Sequence, residues 1–250
     1  MSTNCQNSQQ ISNNQSEHIE HICEHNIYNM NHDRRGKAII FNHTKFEDSS
    51  LSEREGTKVD KTRLSRTLEE ALKFEVEIYE DLRISEMKKI LKNLSLEDHR
   101  DADCLFVALF THGTDNGRLY DAEGTDYSQD ELWKPFLNDE SSLSGKPKIF
   151  VIQACRGEKV GLGFGGVSNH NPPQVDQGAI KRGIMRNDAI GTSSRSGFEF
   201  DSRIPNNADF LIYRSTPEGY VSWRHPDMGS WFIQAICDVI GLWEEKITDH

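Results

Sequence analysis

A histidine and a cysteine each follow a short apolar run in this chain: His112 comes soon after residues 104–110, and Cys155 soon after residues 148–152. Such runs are typical of central parallel strands covered by helices on both faces. In an open α/β sheet, ligands bind outside the carboxyl ends of the strands. An imidazole placed there can activate a thiol, whose free pKa of about 8.5 leaves little thiolate at neutral pH. Taken alone, each residue is more often an ordinary buried or loop side chain, but their shared position predicts thiol chemistry.

The sequence around the cysteine is Gln153-Ala154-Cys155-Arg156-Gly157. It matches the nucleophile signature of the caspases, which have a histidine roughly fifty residues upstream. Here His112 lies 43 positions before Cys155. Other segments also resemble effector caspases, in the family's order: residues 110–113, 144–148, 208–211, 222–224 and 229–234. From about Lys37 onward the chain therefore resembles an effector caspase.

This resemblance implies an α/β fold, namely a caspase-like doubly wound sheet that is mostly parallel and has helices on both faces. It also implies a cysteine endopeptidase that cleaves proteins after aspartate and is made as an effector zymogen in apoptosis. By the same resemblance, Cys155 attacks the peptide carbonyl and His112 assists proton transfer to the leaving amine. The amides of Gly113 and Cys155 would hold the oxyanion, and Gly113 would let a substrate carbonyl approach closely.

Caspases hold the substrate aspartate with two arginines and a glutamine, and the matching positions here are Arg54, Gln153 and Arg224. The planar guanidinium group suits a bidentate carboxylate. Glutamate is expected to bind less well, because its extra methylene misplaces the carboxylate against fixed donors. Taken alone, Arg54 would be interpreted as a surface charge paired with a neighbouring glutamate.

Four further positions resemble the substrate groove of the family: Ser222, Trp223, His225 and Trp231. The two tryptophans resemble the walls of the pockets for residues upstream of the aspartate, although tryptophans at these positions could equally belong to a core. His225 stands where effector caspases often have an asparagine facing an acidic fourth residue. The preference at that subsite is therefore left open.

Composition and charge exclude several other classes of protein. The chain has 250 residues, with 40 acidic and 29 basic side chains and a net charge of −11, which disfavours a nucleic-acid surface. An acidic ligand needs a local basic pocket, which the two arginines would supply. No apolar stretch is long enough for a membrane helix, and five cysteines without regular spacing do not indicate a disulfide framework. We therefore expect a cytoplasmic protein that binds neither nucleic acid nor membrane.

No cofactor or metal is expected. Residues 161–166 satisfy the glycine pattern of a dinucleotide-binding site. In such a site a helix must begin directly after the glycines, but here Pro172 and Pro173 follow. The cluster of histidines and a cysteine at residues 18–25 lies in a polar segment that offers nothing to orient metal ligands. A catalytic thiol needs neither kind of group.

The chain divides into four parts on composition and resemblance. Residues 1–35 are predicted to be a disordered pro-segment, 36–175 the large-subunit part, 176–207 the inter-subunit linker, and 208–250 a small-subunit part that is incomplete at its C-terminus. The family is processed after aspartates in the linker. The candidates are Asp188, ranked first because small Ala189 follows it, then Asp176 and Asp201, while Asp33 could release the pro-segment.

The expected partners follow from the resemblance: protein substrates with exposed aspartate-containing loops, an upstream caspase, and inhibitor-of-apoptosis-type proteins. A homodimer is expected for the family but is doubtful for a chain that lacks the final helix and strand. A second hypothesis is therefore a catalytically poor, truncated homologue that acts as a binding or regulatory protein.

Periodicity predicts alternating strands and helices. Strands are expected at 37–42, 75–79, 104–110, 148–152 and 209–213, and helices at 59–74, 84–96, 129–137 and 230–243, with a hairpin at 117–124.

Overall fold

The computed structural model describes residues 28–114, 116–137, 141–159, 174–175 and 209–248, with side-chain surroundings for all of these except 174–175 and 242–248. Most of the predicted pro-segment, the glycine pattern at 161–166 and the linker 176–207 lie outside the described residues. The candidate processing residues Asp176, Asp188 and Asp201 lie there too.

Ten strands and three α-helices make up the described chain. The strands are β1 (Lys37–Asn42), β2 (Glu75–Glu80), β3 (Leu105–Phe110), β4 (Arg118–Tyr120), β5 (Asp126–Ser128), β6 (Lys148–Gln153), β7 (Gln174–Val175), β8 (Phe210–Arg214), β9 (Trp223–His225) and β10 (Gly229–Ser230). The helices are α1 (Thr57–Glu70), α2 (Ile84–Leu96) and α3 (Trp231–Thr248), with 3-10 turns at Gln129–Leu132 and Lys134–Phe136.

Five of the strands form a sheet in the order β2-β1-β3-β6-β8, and every neighbouring pair is parallel. All six residues of β3 are buried. Side chains alternate between the two faces of a strand, so a strand that is apolar throughout needs a cover on each face. The predicted doubly wound α/β sheet is therefore confirmed.

Two apolar layers cover the sheet. On one face, β1 and β3 contribute Ile39, Phe41, Val107 and Leu109, which pack with Met87, Leu91 and Leu94 of α2. On the other face, Ala38, Ile40, Phe106 and Ala108 pack with Leu64 and Leu68 of α1 and with Ile233 and Cys237 of α3. Because helices pack against both faces of the sheet, the carboxyl ends of β3 and β6 are held at a fixed separation.

Local sequence explains where the helices begin. At the start of α2, the Glu86 carboxylate accepts a hydrogen bond from the Arg83 amide at 3.0 Å and so satisfies one otherwise exposed donor. Gly56 precedes α1 with a φ of 81°. A Cβ at Gly56 would lie 2.4 Å from the carbonyl oxygen of His225, so glycine is required for this close approach.

Residues 28–35, at the end of the predicted pro-segment, are described and contact the folded domain. Arg34 forms ion pairs with Asp101 and Glu75, and the amide of His32 donates to Asp103 at 2.9 Å. These polar residues find charged partners on the domain, a signal that a search for apolar periodicity does not detect. Asp33 lies in this segment and is exposed.

Two local predictions need correction. The helix expected at 129–137 is a pair of short 3-10 turns, and Pro135 lies within the first residues of the second turn. The hairpin consists of β4 and β5, and its second strand extends to Ser128, beyond the predicted end. Among the helices described, none is long and apolar enough to cross a membrane.

Candidate active site

The ends of β3 and β6 bring His112 and Cys155 to the same edge of the sheet. Phe110 pairs with Gln153 in the parallel register, and the amide of Thr111 donates to the carbonyl of Gln153 at 3.2 Å. His112 and Cys155 each follow this last pair by two residues. The parallel register therefore juxtaposes the two residues that the sequence proposed as nucleophile and base.

Gly113 lies directly against the cysteine backbone. A Cβ at this position would be 2.1 Å from the carbonyl oxygen of Cys155 and 3.4 Å from the Cβ of Ala154. From the sequence, this glycine is expected to let a substrate carbonyl approach closely. The structure adds that the chain's own backbone already requires glycine at this point.

Cys155 is almost fully buried, with 1% of its surface exposed. Its Sγ accepts a hydrogen bond from the backbone amide of Ser222 at 3.2 Å, and it lies 3.9 Å from the carbonyl oxygen of the same residue. An N–H donor directed at sulfur stabilises negative charge there. The thiol is therefore held by a segment that follows the long linker in sequence.

The His112 ring is oriented by the segment before α1. Its Nε2 lies 2.8 Å from the carbonyl oxygen of Ser52, and its ring packs against Phe46 with centroids 4.8 Å apart. A carbonyl oxygen only accepts hydrogen bonds, so this contact requires Nε2 to carry a proton and to donate. Nδ1 is then the nitrogen suited to exchange a proton with a substrate.

Arg54, the first of the two arginines that the resemblance assigns to substrate recognition, is fully buried, which contradicts its interpretation as a surface charge. Its Nη1 donates to the carbonyl of His43 at 3.0 Å and to the hydroxyl of Thr57 at 2.9 Å. The Thr57 hydroxyl in turn donates to Asn42 at 2.6 Å. The guanidinium group is thus fixed between the end of β1 and the first turn of α1.

The second arginine, Arg224, reaches the same segment from β9. Its Nε donates to the carbonyl oxygen of Glu55 at 2.6 Å, one residue after Arg54. Gly56, the next residue, contacts the backbone of His225. The structure therefore brings together two arginines that are 170 positions apart in sequence.

A buried carboxylate that was not predicted from the sequence lies near both arginines. Asp60, on α1, is 1% exposed and accepts a hydrogen bond from the Ser230 amide at 2.7 Å. Burial raises the pKa of Asp60, while the positive charges of Arg54 and Arg224 act to lower it. A charged residue four positions before Leu64, on the apolar face of α1, is the signal that could have revealed it.

Gln153, the last residue of β6, contacts the segment that follows β8. Its Nε2 donates to the hydroxyl of Ser222 at 2.8 Å, and both residues are buried. Its other amide atom, Oε1, has no hydrogen-bond partner within the part of the chain that the structure describes. Gln153 and Ser222 thus lie together beside Cys155.

The two tryptophans pack against each other beside these residues. Trp223 and Trp231 are stacked with ring centroids 6.2 Å apart, and Trp231 is 59% exposed. They line a groove of about 240 Å³ that continues along Ser222 and Tyr220. The exposure of Trp231 favours the groove interpretation over the core interpretation.

His225 makes a local contact in the turn between β9 and β10. Its Nδ1 accepts a hydrogen bond from the Asp227 amide at 3.1 Å. The ring is half-buried.

A second structural feature was not predicted: β9 is part of a small antiparallel sheet in the order β10-β9-β7. In this sheet Gln174 pairs with Arg224, and Val175 pairs with Trp223. Strands of two or three residues carry almost no periodic signal, so the sequence could not indicate this pairing.

Comparison with known proteins agrees with this geometry. The caspase domain family matches residues 35–250. Caspase-1 of Spodoptera frugiperda is 43% identical over 212 residues, which is 84% of this chain and 62% of that protein. Caspase drICE of Drosophila melanogaster is 39% identical over 211 residues, 84% of this chain and 55% of that protein. Caspase-7 of Gallus gallus is 37% identical over 215 residues, 85% of this chain and 62% of that protein.

The crystal structure of Caspase-1 from Spodoptera frugiperda matches this fold with a TM-score of 0.64 and 43% identity, covering 84% of this chain and 70% of that one. The chain thus spans 55% to 62% of the length of these three relatives. The match of the family over most of the chain, together with the shared fold, shows that this protein belongs to the caspases, a family of cysteine proteases.

Proposed function

We propose that this chain is a cysteine endopeptidase that cleaves proteins after aspartate, made as an effector-type zymogen that acts in apoptosis in the cytoplasm. One observation carries the proposal: a single segment before α1 contacts both the catalytic and the specificity residues. The Ser52 carbonyl accepts from His112, and the Glu55 carbonyl accepts from Arg224. Proton transfer and recognition of a carboxylate would therefore occur at fixed relative positions.

The proposed reaction begins with transfer of the Cys155 thiol proton to Nδ1 of His112 and attack of the resulting thiolate on the carbonyl carbon of the substrate aspartate. The negative charge that forms on the oxygen would be held by the amides of Gly113 and Cys155. His112 would donate a proton from Nδ1 to the leaving amine, and the C–N bond would break to give a thioester. Water would then attack the thioester carbonyl and lose a proton to His112, releasing the carboxylic acid and the thiol.

Specificity for aspartate rests on the buried arginines. Arg54 and Arg224 are each nearly or fully buried, so their charges are weakly screened by solvent. A substrate carboxylate of the right length can form charge-assisted hydrogen bonds to such donors. An uncharged side chain could not form these charge-assisted hydrogen bonds and would therefore bind less tightly. This local positive charge would attract an acidic substrate despite the chain's net charge of −11.

The proposal is tested by peptide hydrolysis. The purified protein, with its linker cleaved, should hydrolyse a tetrapeptide amide that ends in aspartate, and should show no activity when that residue is glutamate or asparagine. Cys155→Ala should abolish activity. Cys104→Ala is the matched control, because Cys104 is a buried thiol just before β3, at the opposite edge of the sheet. A folded sample that hydrolyses none of these peptides would contradict the proposal and favour the binding-protein hypothesis.

The proposed partners follow from this activity. Substrates would be proteins with aspartate in exposed loops, because the site must accept an extended peptide. An upstream caspase would cut the linker, and inhibitor-of-apoptosis-type proteins would compete for the groove. We also propose that the chain assembles as a homodimer, as is expected for the family.

A further inference from the structure

The His112 imidazole is held on its face as well as on its edge. Its Nε2 lies 2.8 Å from the carbonyl oxygen of Ser52. One hydrogen bond fixes the position of that nitrogen but lets the ring turn about the bond, because the terminal torsion of a histidine side chain is broad. The ring of Phe46 restricts this rotation, since its centroid lies 4.8 Å from that of His112 with the planes inclined by 40°. The imidazole can therefore turn only if Phe46 moves.

A second histidine packs against the same phenylalanine. The ring centroids of His43 and Phe46 are 6.2 Å apart, and their planes are inclined by 23°. Both ring pairs fall within the separation of about 4.5–7 Å that aromatic rings prefer. We call His43, Phe46 and His112 the ring stack. The proposed reaction gives a role to His112 alone among these three rings.

His43 is anchored through its ring and through both polar groups of its backbone. The residue is fully buried, and its Nε2 lies 2.8 Å from the carbonyl oxygen of Leu82, so this nitrogen carries a proton and donates it. The His43 amide donates to the carbonyl of Phe110, the last residue of β3, at 2.9 Å. Its own carbonyl accepts from Arg54 at 3.0 Å. The His43 ring is therefore a fixed surface against which Phe46 can pack.

The His43 ring is uncharged. Its Nδ1 is buried and has no hydrogen-bond partner among the residues that the structure describes. Burial lowers the pKa of His43, and the positive charge of Arg54 acts in the same direction, whereas the hydrogen bond to Leu82 opposes them. His43 therefore acts on its neighbours through packing rather than through charge.

The backbone is also fixed on both sides of Phe46. The Thr44 amide donates to the Asp81 carboxylate at 2.6 Å, and the Glu47 amide donates to the carbonyl of Ala122 at 2.8 Å. These two bonds hold the segment after β1 against the loops that follow β2 and β4. The position of the Phe46 ring is thus set by the folded domain, although the side chain itself is only half-buried.

We propose that Phe46 and His43 are positioning residues for His112, and that the ring stack holds the imidazole with Nδ1 directed at the reacting groups. This inference rests on the proposed protease function. In that reaction Nδ1 must reach the thiol and then the leaving amine, and a misplacement of about 1 Å can cost on the order of 100-fold in rate. Groups that touch no substrate can therefore determine the rate of the chemical steps.

The experiment measures kcat and KM of the linker-cleaved protein for the aspartyl tetrapeptide. Phe46→Leu keeps an apolar side chain but removes the flat ring, and should lower kcat about tenfold. KM should stay within about twofold of wild type, because the groups proposed to bind the aspartate are unchanged. Phe46→Tyr keeps the ring and should retain at least about half of the wild-type kcat.

Phe74→Leu is the matched control for loss of a ring. Phe74 packs against Phe106 with centroids 5.8 Å apart, and it precedes β2, at the opposite edge of the sheet from His112. This buried change should lower the temperature of thermal unfolding but leave kcat at the wild-type value. Thermal unfolding of every variant is measured beside the kinetics.

A double-mutant cycle tests whether His43 acts through Phe46. His43→Gln keeps a donor that can reach Leu82 but removes the ring, and should lower kcat about threefold. Combined with Phe46→Leu, it should cause no further loss, because residues that act through a shared contact are not additive. His99→Gln is the matched control, since His99 is also buried with its Nε2 2.8 Å from a backbone carbonyl oxygen, that of Leu94. It should leave kcat unchanged.

Three results would overturn the inference while leaving the proposed function intact. They are a wild-type kcat for Phe46→Leu, an equal loss of kcat for Phe74→Leu, and a loss for the double variant that equals the product of the two single losses. Should Phe46→Leu fail to fold, Phe46→Met takes its place, because the flexible thioether fills irregular space. Failure of the folded, linker-cleaved wild type to hydrolyse the tetrapeptide would instead contradict the proposed function, and this inference with it.

Discussion

The backbone amide of Ser222 donates a hydrogen bond to the Cys155 sulfur at 3.2 Å, although 67 residues separate them in the chain. Cys155 follows β6, whereas Ser222 precedes β9, on the far side of the linker. Any rearrangement of the segment after β8 must therefore alter the surroundings of the sulfur. This contact gives a physical reason why cleavage or repositioning of the linker would change activity.

Replacement of Arg224 by alanine is expected to lower kcat/KM for an aspartyl tetrapeptide roughly 30-fold or more. This corresponds to a loss of at least ~2 kcal/mol in transition-state binding, because the substrate carboxylate would be buried with an incomplete set of partners. Steady-state hydrolysis measures this loss. Arg63→Ala is the matched control, since Arg63 forms an exposed ion pair with Asp238 on the surface of α1 and α3, and should change kcat/KM little. A loss under about 1 kcal/mol for Arg224→Ala would mean that the carboxylate pocket is misassigned.

Asp60 should make stability depend on pH in a way that an asparagine does not. Burial raises the pKa of Asp60 in the folded protein above its ordinary value of 3.8. Between the unfolded and folded pKa values the native state binds more protons, so this group's contribution to the free energy of unfolding falls as pH rises through that window. Asn at this position can still accept a hydrogen bond from the Ser230 amide.

The measurement is chemical denaturation of wild type and Asp60→Asn at a series of pH values above 4. As pH rises, the free energy of unfolding of wild type should fall relative to that of Asp60→Asn, and the difference between them should then become constant. Asp238→Asn is the control, because that carboxylate is exposed and on the surface of α3. A difference that stays constant with pH for Asp60→Asn would refute the assignment.

Selective alkylation should distinguish Cys155 from the other two cysteines of the described domain. Burial raises the pKa of Cys104 to about 11 and also raises the pKa of Cys237. At pH 8, only about one Cys104 thiol in a thousand is ionised. Iodoacetamide should therefore modify Cys155 much faster than Cys104 or Cys237 in the native, linker-cleaved protein, as peptide mass spectrometry would measure. Equal rates at the three sites would show that Cys155 is not an activated thiol.

The proximity of His112 and Cys155 could be predicted from the sequence because the information there is local. Two apolar strands and the residues that follow them determine that His112 and Cys155 lie together once the strands pair in parallel. Recognition of Arg54 and Arg224 depended on family resemblance, because no local pattern connects them. Their arrangement through Glu55 and Asp60 required the fold.

The pairing of β7 with β9 lay beyond sequence reasoning for a different reason. Its two residues belong to a long stretch that is rich in glycine, asparagine and proline, and a strand of two residues is stabilised by its neighbour rather than by its own propensity. Trp223 and Trp231 were named from the family resemblance, but their stacking and the exposure of Trp231 were not predictable from spacing.

The contact between Gly113 and the Cys155 backbone gives the sharpest test of the site's geometry. An alanine methyl group at 113 would lie 2.1 Å from the Cys155 carbonyl oxygen, far inside van der Waals contact, so the backbone of one strand end must move. A displacement of about 1 Å at a reacting group can cost on the order of 100-fold in rate. Gly113→Ala should therefore lower kcat at least that much and also destabilise the fold.

Gly241→Ala is the matched control for this change. A Cβ at Gly241, which lies within α3, meets no atom of the described neighbouring residues within 4 Å. Alanine there should raise the free energy of unfolding by about 0.5–1 kcal/mol, because glycine is a poor helix former, and should leave kcat unchanged. Thermal unfolding and peptide hydrolysis measured on both variants provide the comparison. If Gly113→Ala retained wild-type kcat, the two strand ends could not be as close as the register requires.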